Sequence, residues 1–341
     1  MIADVRSFLL KVLVVALALV GWGAAPAAAD PAGPSDFRSD VTGITPEVDG
    51  VAAEIRGGDA FLELTVDEGH EAIVYGYETN PPKPYLRFTA DGTVERNRNA
   101  TATYINDDRK GGGTIPEPAQ DPAAEPDWEV VGDGGTYAWH DHRVHWMGEF
   151  DPPVARGERV GGAYDPWVVP IEVDGQPAEV QGTLTFEETA SPIPWAALAL
   201  VAGGLVGWGG RRRAVRSAAA ALVAASALAL LVGRADFSST PDAGGNPLLW
   251  ILPAAALALA VAALVRHRSG TAVVFVLASV ATLSGWALLR FQVLLKPVLP
   301  SDLSPSLDRA SVATAIGVSI ASAYLAVTSG ALKLPELADD E

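Results

Sequence analysis

The chain contains no cysteine and only two methionines among its 341 residues. The absence of cysteine excludes disulfide bonds, thiolate metal sites and cysteine nucleophiles. A metal ion could therefore be bound only by histidine, methionine or carboxylate side chains.

Basic residues are scarce between residues 30 and 190, where 11 Lys and Arg stand against 32 Asp and Glu. An acidic excess of this size repels phosphate backbones, so we expect no nucleic-acid partner. Scattered surface carboxylates of this kind chiefly favour solubility.

Charge is nearly absent from long stretches after Pro194, although the chain as a whole is acidic. Apolar segments of about 20 residues are long enough to cross the hydrocarbon of a bilayer. We predict an all-α bundle of five transmembrane helices, at about 194–210, 217–233, 247–265, 271–289 and 310–332. No Asp, Glu, Lys, Arg or His lies within these ranges, which favours an anchoring and oligomerising bundle over a transporter.

The orientation of the spans follows from the basic residues between them. Arg211, Arg212, Arg213 and Arg216 lie between the first two spans, and Arg266 and Arg268 lie between the third and fourth. The positive-inside rule places both loops in the cytoplasm, together with the short acidic tail after the fifth span. We therefore predict a multi-pass protein of the cell membrane, with its N-terminal domain outside and its C terminus in the cytoplasm.

The N terminus has the features of a secretory signal. Arg6 and Lys11 precede an apolar run over 12–20, and small residues follow up to Ala29. This pattern predicts a signal peptide over 1–29 that is cleaved after Ala29, with an uncleaved anchor as the less favoured alternative. The remaining chain then divides into an extracytoplasmic domain over 30–190 and a membrane region over 191–341.

Short runs of β-branched and aromatic residues, separated by turn formers, recur through the exported domain. They predict strands at 53–56, 61–66, 72–77, 85–88, 136–146, 167–173 and 178–186. Seven short strands without a convincing amphipathic helix predict an all-β sandwich. The Gly- and Pro-rich stretch 110–127 is expected to be an exposed loop.

Three of the five histidines lie in the nine residues WHDHRVHWM, from Trp139 to Met147. On a strand His140 and His142 would share one face, and His145 and Met147 the other. All four would converge on one ion only if the chain bulged or turned. Imidazole and thioether ligands without thiolate suit copper, and zinc is the next choice if Asp141 also binds.

The alternative interpretation of the same motif is structural or partner-binding. Trp139 would pack in the core, and Asp141 with Arg143 would form a hydrogen-bonded pair between strands. No H-x-H-x-D-H or G-x-S-x-G pattern occurs in the exported domain, so we do not expect an enzyme.

A second cluster holds amphipathic, hydrogen-bonding side chains suited to partner binding or to supporting the histidine strand, and we favour support. Its members are Tyr77, Tyr85, Arg87, Asn97, Asn106 and Arg109. Together, GYE…PYLRF, TYINDDR, WHDHRVHWM and GTLTF resemble an uncharacterised actinobacterial family of secreted, membrane-anchored proteins. The resemblance implies a shared fold and topology but no activity.

The sequence therefore favours a membrane-anchored extracytoplasmic binding or scaffolding protein. The alternative is an extracytoplasmic copper-binding or zinc-binding protein that uses the His/Met strand. The expected partners are the lipid bilayer and either a membrane protein or a second copy of the chain.

Overall fold

The computed structural model describes residues 32–329, except 108, 110, 112, 212, 240 and 242–244. The predicted signal peptide and the acidic tail lie outside these residues. Within them, an antiparallel β-rich region comes first and a helical region follows, as the sequence predicts.

Two antiparallel sheets form the β-rich region. The larger sheet contains, in spatial order, β1 (Phe37–Thr45), β11 (Gln176–Phe186), β10 (Trp167–Val173), β4 (Ala72–Thr79), β5 (Pro82–Phe88), β6 (Val94–Asn97) and β7 (Trp128–Gly132), with the short β9 (Glu158–Arg159) also paired to β11. The smaller sheet has the order β2 (Val51–Arg56), β3 (Phe61–Val66) and β8 (Thr136–Trp139). Six of the seven predicted strands coincide with these elements, and the seventh is correct only as far as Trp139.

The two sheets share one hydrophobic core. Leu62, Leu64 and Val66 of β3 are buried at alternate positions, as expected for a strand with one face in the core. From the larger sheet, β10 contributes Trp167 and Ile171 among its own alternating buried residues. The indole Nε1–H of Trp167 donates to Ser39 Oγ at 3.0 Å, so the polar atom of this large side chain is satisfied inside the core.

Two short helices, α1 (Thr101–Ile105) and α2 (Glu117–Gln120), interrupt the strands. Helix α2 lies in the stretch predicted to be a loop. Most of the described residues there are exposed, but Ala119 is buried and its carbonyl accepts a 2.9 Å hydrogen bond from Thr101 Oγ1. The prediction that this stretch is too polar to pack is therefore wrong at α2.

The helical region contains α3 (Ile193–Gly209), α4 (Ala214–Ser239), α5 (Leu248–Val265), α6 (Ala272–Leu289) and α7 (Pro305–Thr328). Four of them, α4 to α7, are long and apolar enough to cross a membrane, whereas α3 is a shorter apolar helix of 17 residues. Small residues allow close packing: a Cβ on Gly317 of α7 would lie 2.0 Å from the carbonyl oxygen of Ala199 in α3.

Helices α4 and α7 extend beyond the predicted spans, and they bring two carboxylates into the bundle. Arg290, directly after α6, donates to Asp236 of α4 and to both oxygens of Asp308 of α7, the latter at 2.6 and 2.7 Å. All three side chains are buried. The expected absence of charge holds for the predicted ranges but not for the complete helices.

The segment 290–304 between α6 and α7 holds the β-rich region on the bundle. Ser35 and Val298 exchange backbone hydrogen bonds of 2.9 and 3.2 Å. Lys296 forms an ion pair with Asp36, and Arg56 of β2 reaches Asp302 at 3.3 Å. We call this end of the bundle the β-facing end.

Candidate functional site

The nine-residue motif is a turn rather than a strand. β8 ends at Trp139, and the loop 140–147 leaves the sheet. Asp141 ends the strand, because its carboxylate accepts hydrogen bonds from the backbone N–H of Arg143 at 3.1 Å and from the indole Nε1–H of Trp139 at 2.9 Å. A local side-chain bond of this kind competes with sheet pairing. The predicted strand 136–146, and the alternation of histidines along it, are therefore wrong after Trp139.

Asp141 and Arg143 form the polar centre of the loop. Asp141 is completely buried and accepts 2.7 Å bonds from Nε and Nη2 of Arg143. The guanidinium also donates to the carbonyls of Tyr75 and Gly76 at 3.2–3.3 Å and lies 4.8 Å from the ring centre of Tyr77. Burial alone would raise the pKa of Asp141, but the charge and hydrogen bonds of Arg143 outweigh it and lower that pKa. This geometry fixes the loop to β4.

The three histidines have three different environments. His140 is buried, stacks on Phe61 at 4.2 Å, and its Nδ1 lies 2.6 Å from the carbonyl oxygen of Ala60. His142 is half-buried, and its ring meets that of His145 edge-on with 5.4 Å between centres. The turn therefore brings His142 and His145 together, although an extended strand would have placed them on opposite faces.

His145 is the unusual member of the group. It is completely buried, and neither ring nitrogen has a hydrogen-bond partner among the residues that the structure describes. Burial first, then the positive charge of Arg109 and the neighbouring His142, lower its pKa to about 3, with a small opposing effect of the Trp146 backbone. The imidazole is therefore neutral at physiological pH.

Met147 and Trp146 form the edge of the loop. Met147 is half-buried, and its backbone N–H lies 3.4 Å from Tyr164 Oη. The ring of Trp146 packs between Phe37 and Tyr164 at 6.1 and 5.3 Å, and its Nε1–H donates to the carbonyl of Phe150 at 2.8 Å. The side chain of Phe150 is 80% exposed, so an aromatic rim faces solvent beside the histidines.

Four of the six residues predicted to support the motif lie near it, whereas Asn97 donates to the carbonyl of Pro84 at 2.8 Å. Tyr85 is buried edge-on to Trp139 at 6.3 Å, Asn106 accepts a hydrogen bond from Tyr77 Oη, and Arg109 donates to Asp59 at 2.5 Å. Arg87 does not join them: it pairs with Glu95 and lies 4.5 Å over the ring of Trp128.

Asp59 is the site residue that sequence reasoning missed. It is buried, and besides Arg109 it accepts a 3.2 Å hydrogen bond from Ser35 Oγ, the residue whose backbone pairs with Val298. The sequence signal for this position is the pair Gly57 and Gly58 directly before it. Both glycines have positive φ and build a tight turn. Through Asp59, Arg109 is connected to the contact between the β-rich region and the bundle.

The described residues contain no group of three or more His, Asp or Glu side chains arranged to hold a metal ion. No protein-family model, curated protein or solved structure matches the chain. The resemblance based on the sequence motifs stays a prediction.

Proposed function

We propose that the chain is a membrane-anchored binding or scaffolding protein, whose β-rich region presents the loop 140–147 and its aromatic rim outside the cytoplasm. The observation that carries the proposal is the exposed Phe150 beside the half-buried Trp146, next to a loop that Asp141 and Arg143 bond to β4. Exposed aromatic side chains on a fixed support are typical of interface centres.

The proposed role of the helices is to anchor and orient this surface. The β-rich region continues covalently into α3 and also contacts the segment 290–304 through Ser35, Asp36 and Arg56. Two separated attachments restrict rotation of the loop relative to the bundle. We place the five helices across the cell membrane, with the basic loops in the cytoplasm.

Site-specific photo-crosslinking in intact cells tests the binding surface. A photoreactive residue at position 150 is expected to give one discrete adduct with another protein or a second copy. The matched control is position 130 on β7, where Val130 is similarly exposed at 68% but lies outside the rim. The same adduct pattern at both positions, or none at position 150, would contradict the proposal.

A second candidate function is copper binding, with zinc as the next choice. It is favoured by one observation, the fully buried His145, whose neutral ring meets that of His142 edge-on and whose nitrogens have no geometrically defined hydrogen-bond partner in the described part of the chain. A neutral imidazole is the form that binds a metal. His142 and His145 would hold the ion, with His140 and Met147 available from the same loop.

Titration of the full-length protein in detergent with Cu(I), Cu(II) and Zn(II) tests this second candidate. We expect about one ion per chain, and we expect His145→Leu to abolish binding. His70→Leu is the matched control, since His70 lies elsewhere and pairs with Asp174 at 2.8 Å. Absence of binding tighter than micromolar, or equal losses in the two variants, would end the metal hypothesis.

The stability of the same variants provides an independent prediction. An unsatisfied buried polar group costs about 1–3 kcal/mol, so metal-free His145→Leu is expected to keep or increase the free energy of unfolding. His140→Leu should reduce it, because the contact with the Ala60 carbonyl is lost. Urea titration followed by pulse proteolysis measures both values. A His145→Leu variant less stable than His140→Leu would show that His145 is a structural residue.

A further inference from the structure

An apolar groove runs along the surface of the bundle between α3 and α7. It has a volume of about 730 Å³ and is lined from Pro192 and Trp195 at the β-facing end to Gly207 and Tyr324 near the opposite end. Its walls include Ile320 and Tyr324, which are 68% and 65% exposed. From residue 192 to residue 207 a helix rises roughly 22 Å, which is longer than half of a hydrocarbon core of about 30 Å.

A basic cavity lies at the end of the bundle opposite the β-rich region. Its volume is about 1080 Å³, and it is formed by the end of α3, the start of α4, the α5–α6 turn and the end of α7. Among the residues that the structure describes, its lining contains the basic residues Arg211, Arg213, Arg216, His267 and Arg268 and no Asp or Glu. None of the four arginines forms an ion pair with a carboxylate among the described residues.

The groove and the cavity adjoin each other, because Gly207 and Tyr324 line both. Gly207 leaves the junction open: a Cβ at this position would have no neighbour within 4 Å. An apolar groove of acyl-chain length thus adjoins a cluster of arginines that form no ion pair with a carboxylate in the described part of the chain. Neither a soluble anion nor an apolar helix matches both parts of this surface.

We infer that the groove and cavity together bind one anionic phospholipid, with the phosphate headgroup among Arg213, Arg216 and Arg268 and an acyl chain between α3 and α7. The inference rests on the proposed membrane insertion of the helices but not on what the β-rich region binds. Basic pockets at the ends of membrane helices attract anionic headgroups, and each arginine near the surface strengthens binding roughly fivefold. The phosphate headgroup brings negative charge to the basic cavity, and the acyl chain covers the exposed side chains of the groove.

Native mass spectrometry of the full-length protein, released from bilayers containing equal phosphatidylglycerol and phosphatidylcholine, tests the inference. We expect one retained phosphatidylglycerol per chain and little phosphatidylcholine. The triple variant R213Q/R216Q/R268Q should bind phosphatidylglycerol on the order of 100-fold more weakly. Its matched control is Arg266→Gln, since Arg266 is exposed at the same end but stacks over Phe275 at 5.5 Å and does not line the cavity.

A second variant blocks the groove without changing charge. Gly207→Leu places a side chain at the open junction and should reduce retention of the lipid, whereas Gly285→Leu on α6, also without neighbours within 4 Å, should not. Equal retention of both lipids by the wild-type chain would overturn the inference. So would binding of glycerol 3-phosphate as tight as that of the lipid, or a dimer that Gly207→Leu dissociates. Retention only after removal of 331–341 would make the acidic tail the occupant and also overturn it.

Discussion

Substitution of Asp141 by asparagine tests whether the buried ion pair holds the histidine loop in place. Asp141 is completely buried and accepts bonds from Trp139 and from three donors of Arg143. The asparagine keeps the size of the side chain but removes its charge, which leaves the mostly buried guanidinium of Arg143 without a counter-ion. Removal of one partner of a buried pair costs about 3–5 kcal/mol.

The matched control is an ion pair of similar length at the surface. Arg38 Nε and Glu187 Oε1 are 2.6 Å apart, and the arginine side chain is 50% exposed. Exposed pairs contribute about 0–1 kcal/mol, so Glu187→Gln should have little effect. The two substitutions remove the same charge from pairs that differ chiefly in burial.

Pulse proteolysis of the full-length protein in urea measures the unfolding of the β-rich region separately from the detergent-embedded helices. With a urea dependence of about 2 kcal/mol/M, the Asp141→Asn midpoint should fall by about 1.5–2.5 M. Because the folded-state pKa of Asp141 is lowered, its contribution is complete above the ordinary pKa of about 3.9. This contribution is lost as the pH falls through the lower folded-state pKa. The difference in urea midpoint between wild type and Asp141→Asn should therefore become smaller there.

Two results would refute this reasoning. Equal midpoint shifts for Asp141→Asn and Glu187→Gln would show that burial does not increase the free-energy cost of removing the counter-ion of Arg143. A pH-independent difference between wild type and Asp141→Asn would show that the lost charge is not the cause. In either case the turn at 140–147 would need another source of rigidity.

Two further predictions concern other parts of the chain. Gly317→Ala should lower the thermal stability of the bundle in detergent, because the new Cβ would lie 2.0 Å from the Ala199 carbonyl oxygen. The control Gly285→Ala, where a Cβ has no neighbour within 4 Å, should leave it unchanged. Equal effects of the two substitutions would contradict the packing argument. The hydrogen bond to Asp174 raises the pKa of His70 above its ordinary value of about 6.5. The stabilisation of the folded protein by protonated His70 is complete below this ordinary pKa and disappears as the pH rises through the folded-state pKa. Asp174→Asn, which can still accept the Glu71 N–H, should therefore destabilise the protein at pH 5.5 more than at pH 8.5; a loss independent of pH in urea titrations would contradict this assignment.

The central strands could be predicted from the sequence because their local pattern agrees with their environment. β3 is the clearest case, since Leu62, Leu64 and Val66 alternate with polar residues and lie in the shared core. β1 was missed because it is the edge strand of the larger sheet and most of its side chains are only half-buried or exposed. An edge strand is stabilised by its pairing with a neighbour, here β11, and this long-range pairing leaves little hydrophobic periodicity.

The local geometry of the candidate site could not be predicted from the sequence, and its role as a site stays a prediction. The composition of the motif suggested a strand, and the capture of the Arg143 N–H by Asp141 ended the strand at Trp139. The approach of His142 to His145 depends on that turn, so the periodicity of a strand could not predict it. The helix ends were misplaced for a similar reason: Arg290 finds its partners 54 and 18 residues away, and only these long-range contacts allow charge inside the bundle.

The contact between Ser35 and Val298 sets an order for the assembly of the protein. Its neighbouring ion pair, Asp36 with Lys296, joins residues 260 positions apart. Lys296 is synthesised 110 residues after Phe186, the last residue of β11, so at about 5–20 residues per second it follows the completed β-rich region by roughly 6–22 s. The β-rich region is therefore complete in sequence, and free to fold, well before the segment that holds it to the bundle exists. During that interval any chaperone or protease on the same side of the membrane meets a domain attached only by its covalent linker.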